Sequence, residues 1–177
     1  TYLLNCQLKA NGKLLVEGRK GVIIGGKTCA KLGVSCNRIG NIAEIATVVS
    51  VGIDKEDMTA YQELQKKIEQ TQAELQTCEN GLNKLMANPV HNEKVSMMIQ
   101  RLTRAVYTLK SSRKELFSER NAQMEQMTKQ KEARIQVSGR AYPGTLLFLN
   151  EDPFAIKEIY NNVEFVKHDN RIDTLAH

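Results

Sequence analysis

The run Gly25-Gly26-Lys27-Thr28 is where residue types first suggest chemistry. Glycine amides followed by lysine and a hydroxyl residue are what cradle phosphates. No helical run follows Thr28, however, so the expectation is a tight β-turn and not a nucleotide site. A second hint is the recurrence of Leu32-Gly33, Ile39-Gly40, Ile45-Ala46 and Val51-Gly52, close to the six-residue rungs of a solenoid acyltransferase. Such an enzyme needs a general base, usually histidine. None of His91, His168 and His177 lies in that stretch, so a structural solenoid is preferred. The cysteines Cys6, Cys29, Cys36 and Cys78 fit neither paired zinc knuckles nor a dense disulfide framework, and free thiols are expected. A basic stripe of Arg101, Arg104, Lys110, Arg113, Lys114 and Arg120 invites comparison with RNA-binding arms. Stacking aromatics are almost absent along it, so nucleic acid is not the expected partner. His91 reads as an exposed turn residue. Together with Arg101 and Arg104 it is the candidate for contact with a partner. The sequence nominates no catalytic, cofactor-binding or metal-ligating residue, and the reading is of a chain that is not an enzyme.

The elements that must position these residues begin with a helical stretch. Tyr61, Leu64, Ile68, Thr71, Leu75, Cys78, Leu82 and Leu85 alternate spacings of three and four, a heptad seam held for four repeats. Asn88-Pro89 breaks it, because proline lacks the amide donor and disfavours helical geometry in the residue before it. A second run from near Asn92 to about Glu132 places Val95, Ile99, Leu102, Val106, Leu109 and Leu116 on one face, with Arg113 and Arg120 roughening it. Reflecting the chain about position 90 sets Leu75 against Val106 and Cys78 against Leu102, the pairing of an antiparallel hairpin. Met97, Met98, Met124 and Met127 are expected to pack in the core. Residues 54–87 carry seven acidic and four basic side chains, and residues 88–134 carry five and ten. The two arms therefore look made to pair with each other, and the net charge of +5 need not signal a polyanionic partner. Each arm would reach ~50 Å at 1.5 Å per residue.

The flanks read as β structure. Before residue 54, glycine punctuates short β-branched runs such as Val22-Ile23-Ile24 and Thr47-Val48-Val49-Ser50-Val51, suggesting small antiparallel sheets or solenoid rungs. After the helices come Arg134–Ser138, a Tyr142-Pro143-Gly144 turn and the apolar strand Thr145–Leu149. Ile159–Val166 reads as a hairpin about Asn161-Asn162. The fold class is thus α+β, in three parts: a β region at 1–53, the helical hairpin at 54–133, and C-terminal strands at 134–177 that pack back on the first region. Aromatic residues are only 5% with no tryptophan, so few rings are available for a deep core or a base-stacking platform. The longest apolar runs are far short of the roughly 20 residues that span a bilayer, so no membrane helix is expected. With no initiating methionine and no signal segment at Thr1, the chain is expected to be part of something longer.

The ordered combination of Gly25-Gly26-Lys27-Thr28-Cys29-Ala30, Arg38-Ile39-Gly40-Asn41 and Ala46–Asp54 resembles the signature of the flagellar assembly protein A family. Val137–Leu149, with its Tyr142-Pro143-Gly144, is similar to that family's strand after the coil, and Val163-Glu164-Phe165 with Asp169-Asn170-Arg171-Ile172 resembles its final hairpin. The resemblance spans most of residues 20–172, with a cysteine-rich stretch from Cys29 to Cys36 where aliphatic or small residues are expected. It implies a right-handed β-helix end with a long inserted coiled-coil hairpin, whose first rungs would lie upstream of Thr1. It also implies a cytoplasmic bacterial protein of flagellum biogenesis, recruited to the flagellar pole, with no catalytic residues to carry over. The function expected is that of a non-enzymatic scaffold or regulator with protein partners and no cofactor. Exposed solenoid ends make self-association a further expectation. The alternatives are an acyltransferase-like solenoid enzyme and an arm that binds nucleic acid.

Overall fold

The computed structural model describes residues 1–18, 20–87, 92–169 and 171–176. They form two compact units, Thr1–Met58 with Glu125–His177, and Thr59–Met124.

The first unit is wound from short strands: β1 (Tyr2–Ala10), β2 (Lys13–Val16), β3 (Val22–Ala30), β4 (Gly33–Ile39), β5 (Thr47–Val51), β6 (Ile135–Ala141) and β7 (Thr145–Leu149). β1, β3, β5 and β7 pair in one parallel series, and β2, β4 and β6 in a second. β3 and β4 also pair at Ile23↔Ile39. Each circuit of the chain therefore adds one strand to each series, which is the construction of a solenoid. Alternation along the pleat sends every second side chain inward, and stacking in register turns those side chains into apolar columns. Leu14, Val34, Ile135 and Phe165 form one column; Val16, Cys36, Val137 and Val163 form the next. In the other series Thr28 sits beside Val49 and Leu147, and Ala30 beside Val51 and Leu149. Inside its column Cys36 acts as a small hydrophobe, and burial pushes its thiol up to about 12 against a hydrogen bond from the Arg38 backbone.

The last turn is closed by antiparallel strands. β8 (Asp152–Ala155) folds back on β7, β9 (Tyr160–His168) lies on β6, and β10 (Arg171–Ala176) lies on β9. Phe154, Tyr160 and Phe165 pack together at this end, with ring centroids 5.5 to 6.4 Å apart. Three of the chain's nine aromatic rings thus meet where the columns stop.

Two β expectations need correction. Residues 160–168 form one strand, not a hairpin about Asn161-Asn162. Asn162 adopts positive φ (45°) beside the register shift between Val137 and Arg140, so it makes an irregularity within the pairing with β6. The chain reverses near Asp169 instead, where φ is 50°. The Gly21-to-Thr28 run does have phosphate-loop spacing, yet Gly25 and Gly26 lie within β3 and not in a turn between elements. Both have φ of 72°. A Cβ on Gly26 would sit 2.2 Å from the Cys6 carbonyl oxygen, so the glycines let the strand kink tightly under β1. The recurring glycines mark corners: Gly33, Gly40 and Gly52 each adopt positive φ next to the end of a strand.

The helices are α1 (Lys55–Met86) and α2 (Glu93–Lys131). Their stems belong to the first unit and their central parts, residues 59–124, make the second. Glutamine, glutamate and lysine supply the helix-forming background. Asn92 caps α2, its Oδ1 accepting from the Val95 amide at 2.9 Å. In the second unit Leu64, Ile68, Leu75 and Val106 are buried, and Tyr61, Thr71, Cys78, Leu82, Leu85, Val95, Ile99, Leu102, Leu109 and Leu116 are half-buried. Lys110 on α2 pairs with Glu79 on α1 at 2.8 Å. Arg113 donates to Gln72 Oε1 at 2.9 Å, and Leu102 Cδ1 lies 3.7 Å from the Cβ position of Gly81. The expectation that Met97, Met98 and Met124 pack in the core is wrong: they are 49%, 56% and 48% exposed, because the seam face holds the apolar residues at three-four spacing and the methionines fall beside it. Among the described residues no helix is long and apolar enough to cross a membrane.

Candidate interaction site

One corner of the solenoid carries the insertion. In the circuit beneath, Lys31 and Leu32 alone turn the chain from β3 to β4, their amides bonding to Ala10 and Gly12 carbonyls at 3.0 and 3.2 Å. One circuit on, the chain leaves after Val51 and returns at Ile135, and pairing continues on both sides of the gap, Ala30↔Val51 and Val34↔Ile135. Residues 52–134 therefore replace a two-residue turn without disturbing register.

Asn150 of the following circuit holds the two ends of the insertion together. Its Oδ1 accepts from the Ile53 amide at 2.9 Å, and its Nδ2 donates to the Lys131 carbonyl at 3.1 Å. A Cβ on Gly52 would fall 2.0 Å from that Oδ1, and Gly52 has φ of 90°, so only glycine fits. The first turn of α1 is then fixed by a capping box: Asp57 N donates to Asp54 Oδ1 at 2.9 Å, and Asp54 N to Asp57 Oδ2 at 3.4 Å. Lys9 of β1 and Lys31 of the two-residue turn reach this first turn of α1. Lys9 pairs with Glu56 at 2.5 Å and Asp54 at 3.5 Å, and Lys31 pairs with Asp57. The Glu56 carboxylate, and then Asp54, hold the Lys9 ammonium above its ordinary range despite some desolvation. Burial pushes the Asp54 carboxyl upward, but the Asp57 amide and the charges of Lys31 and Lys9 outweigh it and hold it below the usual carboxylate range.

Beside this turn a groove of about 920 Å³ lies over the outer face of β1, β3, β5 and β7. Its floor includes Cys29, Val48, Leu146 and Phe148, all half-buried, and Asp54, Glu56 and the lysines make its rim. Among the described residues no group of three or more His, Cys, Asp or Glu side chains could hold a metal ion.

The residues named from sequence fall in different places. Arg101 and Arg104 are exposed on α2, and His91 lies outside the described residues. The residues named for the seam are buried or half-buried along α1 and α2. The clamp at the corner was not foreseen. Asp54 and Asp57 at capping-box spacing offered a local signal for part of it, whereas Asn150 and Lys9 are brought there by circuit stacking alone.

No curated protein and no solved structure matches the chain. The family model described as the Flagellar Assembly Protein A beta solenoid domain matches residues 1–172. That match takes in the parallel series, the corner insertion and the strands on both sides of it, and the chain belongs to this family.

Proposed function

We propose that the protein is a non-enzymatic scaffold in bacterial flagellar assembly, in which a right-handed β-helix mounts an antiparallel coiled-coil hairpin that makes contacts with protein partners. The carrying observation is the splice at the corner, where residues 52–134 replace a two-residue turn while β3–β5–β7 and β4–β6 keep their register. A fold that keeps its stack intact around so large an insertion is using the stack as support. Right-handed winding is the sense favoured for connections between parallel strands. The opposed sense of the pairs 72–113, 79–110 and 81–102 supports the antiparallel hairpin. The acidic groups of the corner are engaged by lysines and the α1 cap, which supports contact over catalysis. Work in the cytoplasm, at the flagellar pole, fits the family's role. Self-association would use β1 and β2, each of which has one strand neighbour among the described residues.

The test replaces Thr59–Met124 by a short Gly-Ser linker in a flagellated host and measures both protein level and flagellation. The expected result is a stably accumulated protein and loss of normal flagella. Normal flagellation with the linker variant would overturn the reading.

A further inference from the structure

The side of α2 turned away from the seam carries side chains that the fold does not use. At 3.6 residues per turn, Met97, Arg101, Arg104 and Thr108 form one row opposite Ile99, Leu102 and Val106, with Met98 and Tyr107 flanking it. Met97 in the row is 49% exposed; Met98 and Tyr107, 56% and 79% exposed, lie about a quarter-turn off it on opposite sides of the helix, so one of the two can share a contact with the row. Arg101 and Arg104 are exposed and, among the described residues, their guanidinium groups make no ion pair or hydrogen bond. Lys110 and Arg113, on the same helix, are by contrast engaged by Glu79 and Gln72.

We propose that this face docks an acidic amphipathic helix of a protein partner. Spacings of four, three and four along the row are those at which one helix meets another. Methionine gives an adaptable apolar contact, and tyrosine and arginine are the types that most often carry interface energy. Two unpaired guanidinium groups between the apolar anchors select carboxylates, which they bind in a fork. Charge supports the same partner: residues 93–115 hold six basic side chains against Glu93 and Glu115. The outward side of α1 is of mixed charge, with exposed Glu63 and Glu69 beside Lys66 and Lys84, so a second copy's α1 matches less well than a uniformly acidic helix. Nucleic acid is disfavoured because methionines interrupt the cations and the row itself holds no ring on which a base could stack.

The proposal rests on the hairpin being the interacting part of the scaffold. It is tested on the full chain by fluorescence anisotropy with a labelled peptide of three heptads, Leu at a and d and Glu at e and g, and with its Lys counterpart. The Glu peptide is expected to bind at least about tenfold more tightly than the Lys peptide, the scale of one good charge-pair difference. R101E/R104E is expected to remove that preference with an unchanged thermal melt, and M97S/M98S to weaken binding of the Glu peptide. No binding, equal binding of the two peptides, an R101E/R104E variant that binds like the parent, or tighter binding of a 20-base-pair duplex would each overturn it. Glu-peptide binding that survives R101E/R104E but vanishes when Thr59–Met124 is replaced by the linker would reject this face and leave the scaffold reading standing.

Discussion

Ile135, Leu147 and Phe165 inside the solenoid are fully buried, whereas among the described residues of the helical unit the buried ones are Leu64, Ile68, Leu75 and Val106. The difference is geometric. An inner strand of the stack, such as β6 or β7, has neighbours on both flanks and a facing series across the interior, so water is excluded from its inward side chains. Two paired helices share one stripe and leave the rest of their surface in water. The β unit can therefore hold its shape by packing, and the helical unit keeps most of its side chains available for contact.

The sharpest way to break that comparison is to strike each interior. Leu147→Ala should cost about 2–5 kcal/mol, since it empties a fully enclosed position, and should lower the β transition in circular dichroism. Leu75→Asp puts a charge into a residue 2% exposed and should melt the 222 nm signal first, whereas Gln76→Asp, one position round on the exposed side, should stay within about 0.5 kcal/mol. Equal shifts for Leu75→Asp and Gln76→Asp would contradict the seam.

At the junction of chain and stack, Gly52→Ala should cost about 1–3 kcal/mol, because the new residue must adopt a left-handed conformation against Asn150. Gly12→Ala, where a Cβ meets nothing within 4 Å and φ is not left-handed, is the control and should be near neutral by thermal melt.

The mildest effect concerns acid. The Asp54 carboxyl is held below its ordinary range, so the folded state favours the carboxylate. Its contribution is complete above the ordinary aspartate pKa of about 3.9 and is lost as pH falls through the lower folded value. Thermal melts between pH 5 and 3 should therefore fall more steeply for the parent protein than for Asp54→Asn. Parallel slopes would show that Asp54 does not hold the cap.

Helix α1 was legible because its signal is local: Tyr61 to Leu85 at three-four spacing gives the helix and the positions that are buried or half-buried along it. The strands from Thr47 to Val51 and Thr145 to Leu149 were legible for the same reason, each being a short apolar run beside glycine. What escaped is what stacking decides. Asn150 is an ordinary loop asparagine until the circuit beneath brings Ile53 and Lys131 to it. Asn161-Asn162 looked like a turn, yet pairing with β6 carries the chain through it and leaves the strain at one positive φ. Met97 and Met98 were taken for core by hydrophobicity, although their angle on α2 puts them off the seam.

The account depends most on α1 and α2 folding back along each other within one molecule. Spin labels at Thr77 and Ser111, both exposed and near the Glu79–Lys110 pair, measure this by double electron–electron resonance in a cysteine-free background. Helices packed about 8–10 Å apart, with the reach of two labels added, predict a distance distribution centred below about 25 Å that is unchanged by dilution with unlabelled protein. A distribution near 50 Å, the span of one continuous rod between those positions, or a short distance that disappears on dilution, would contradict it.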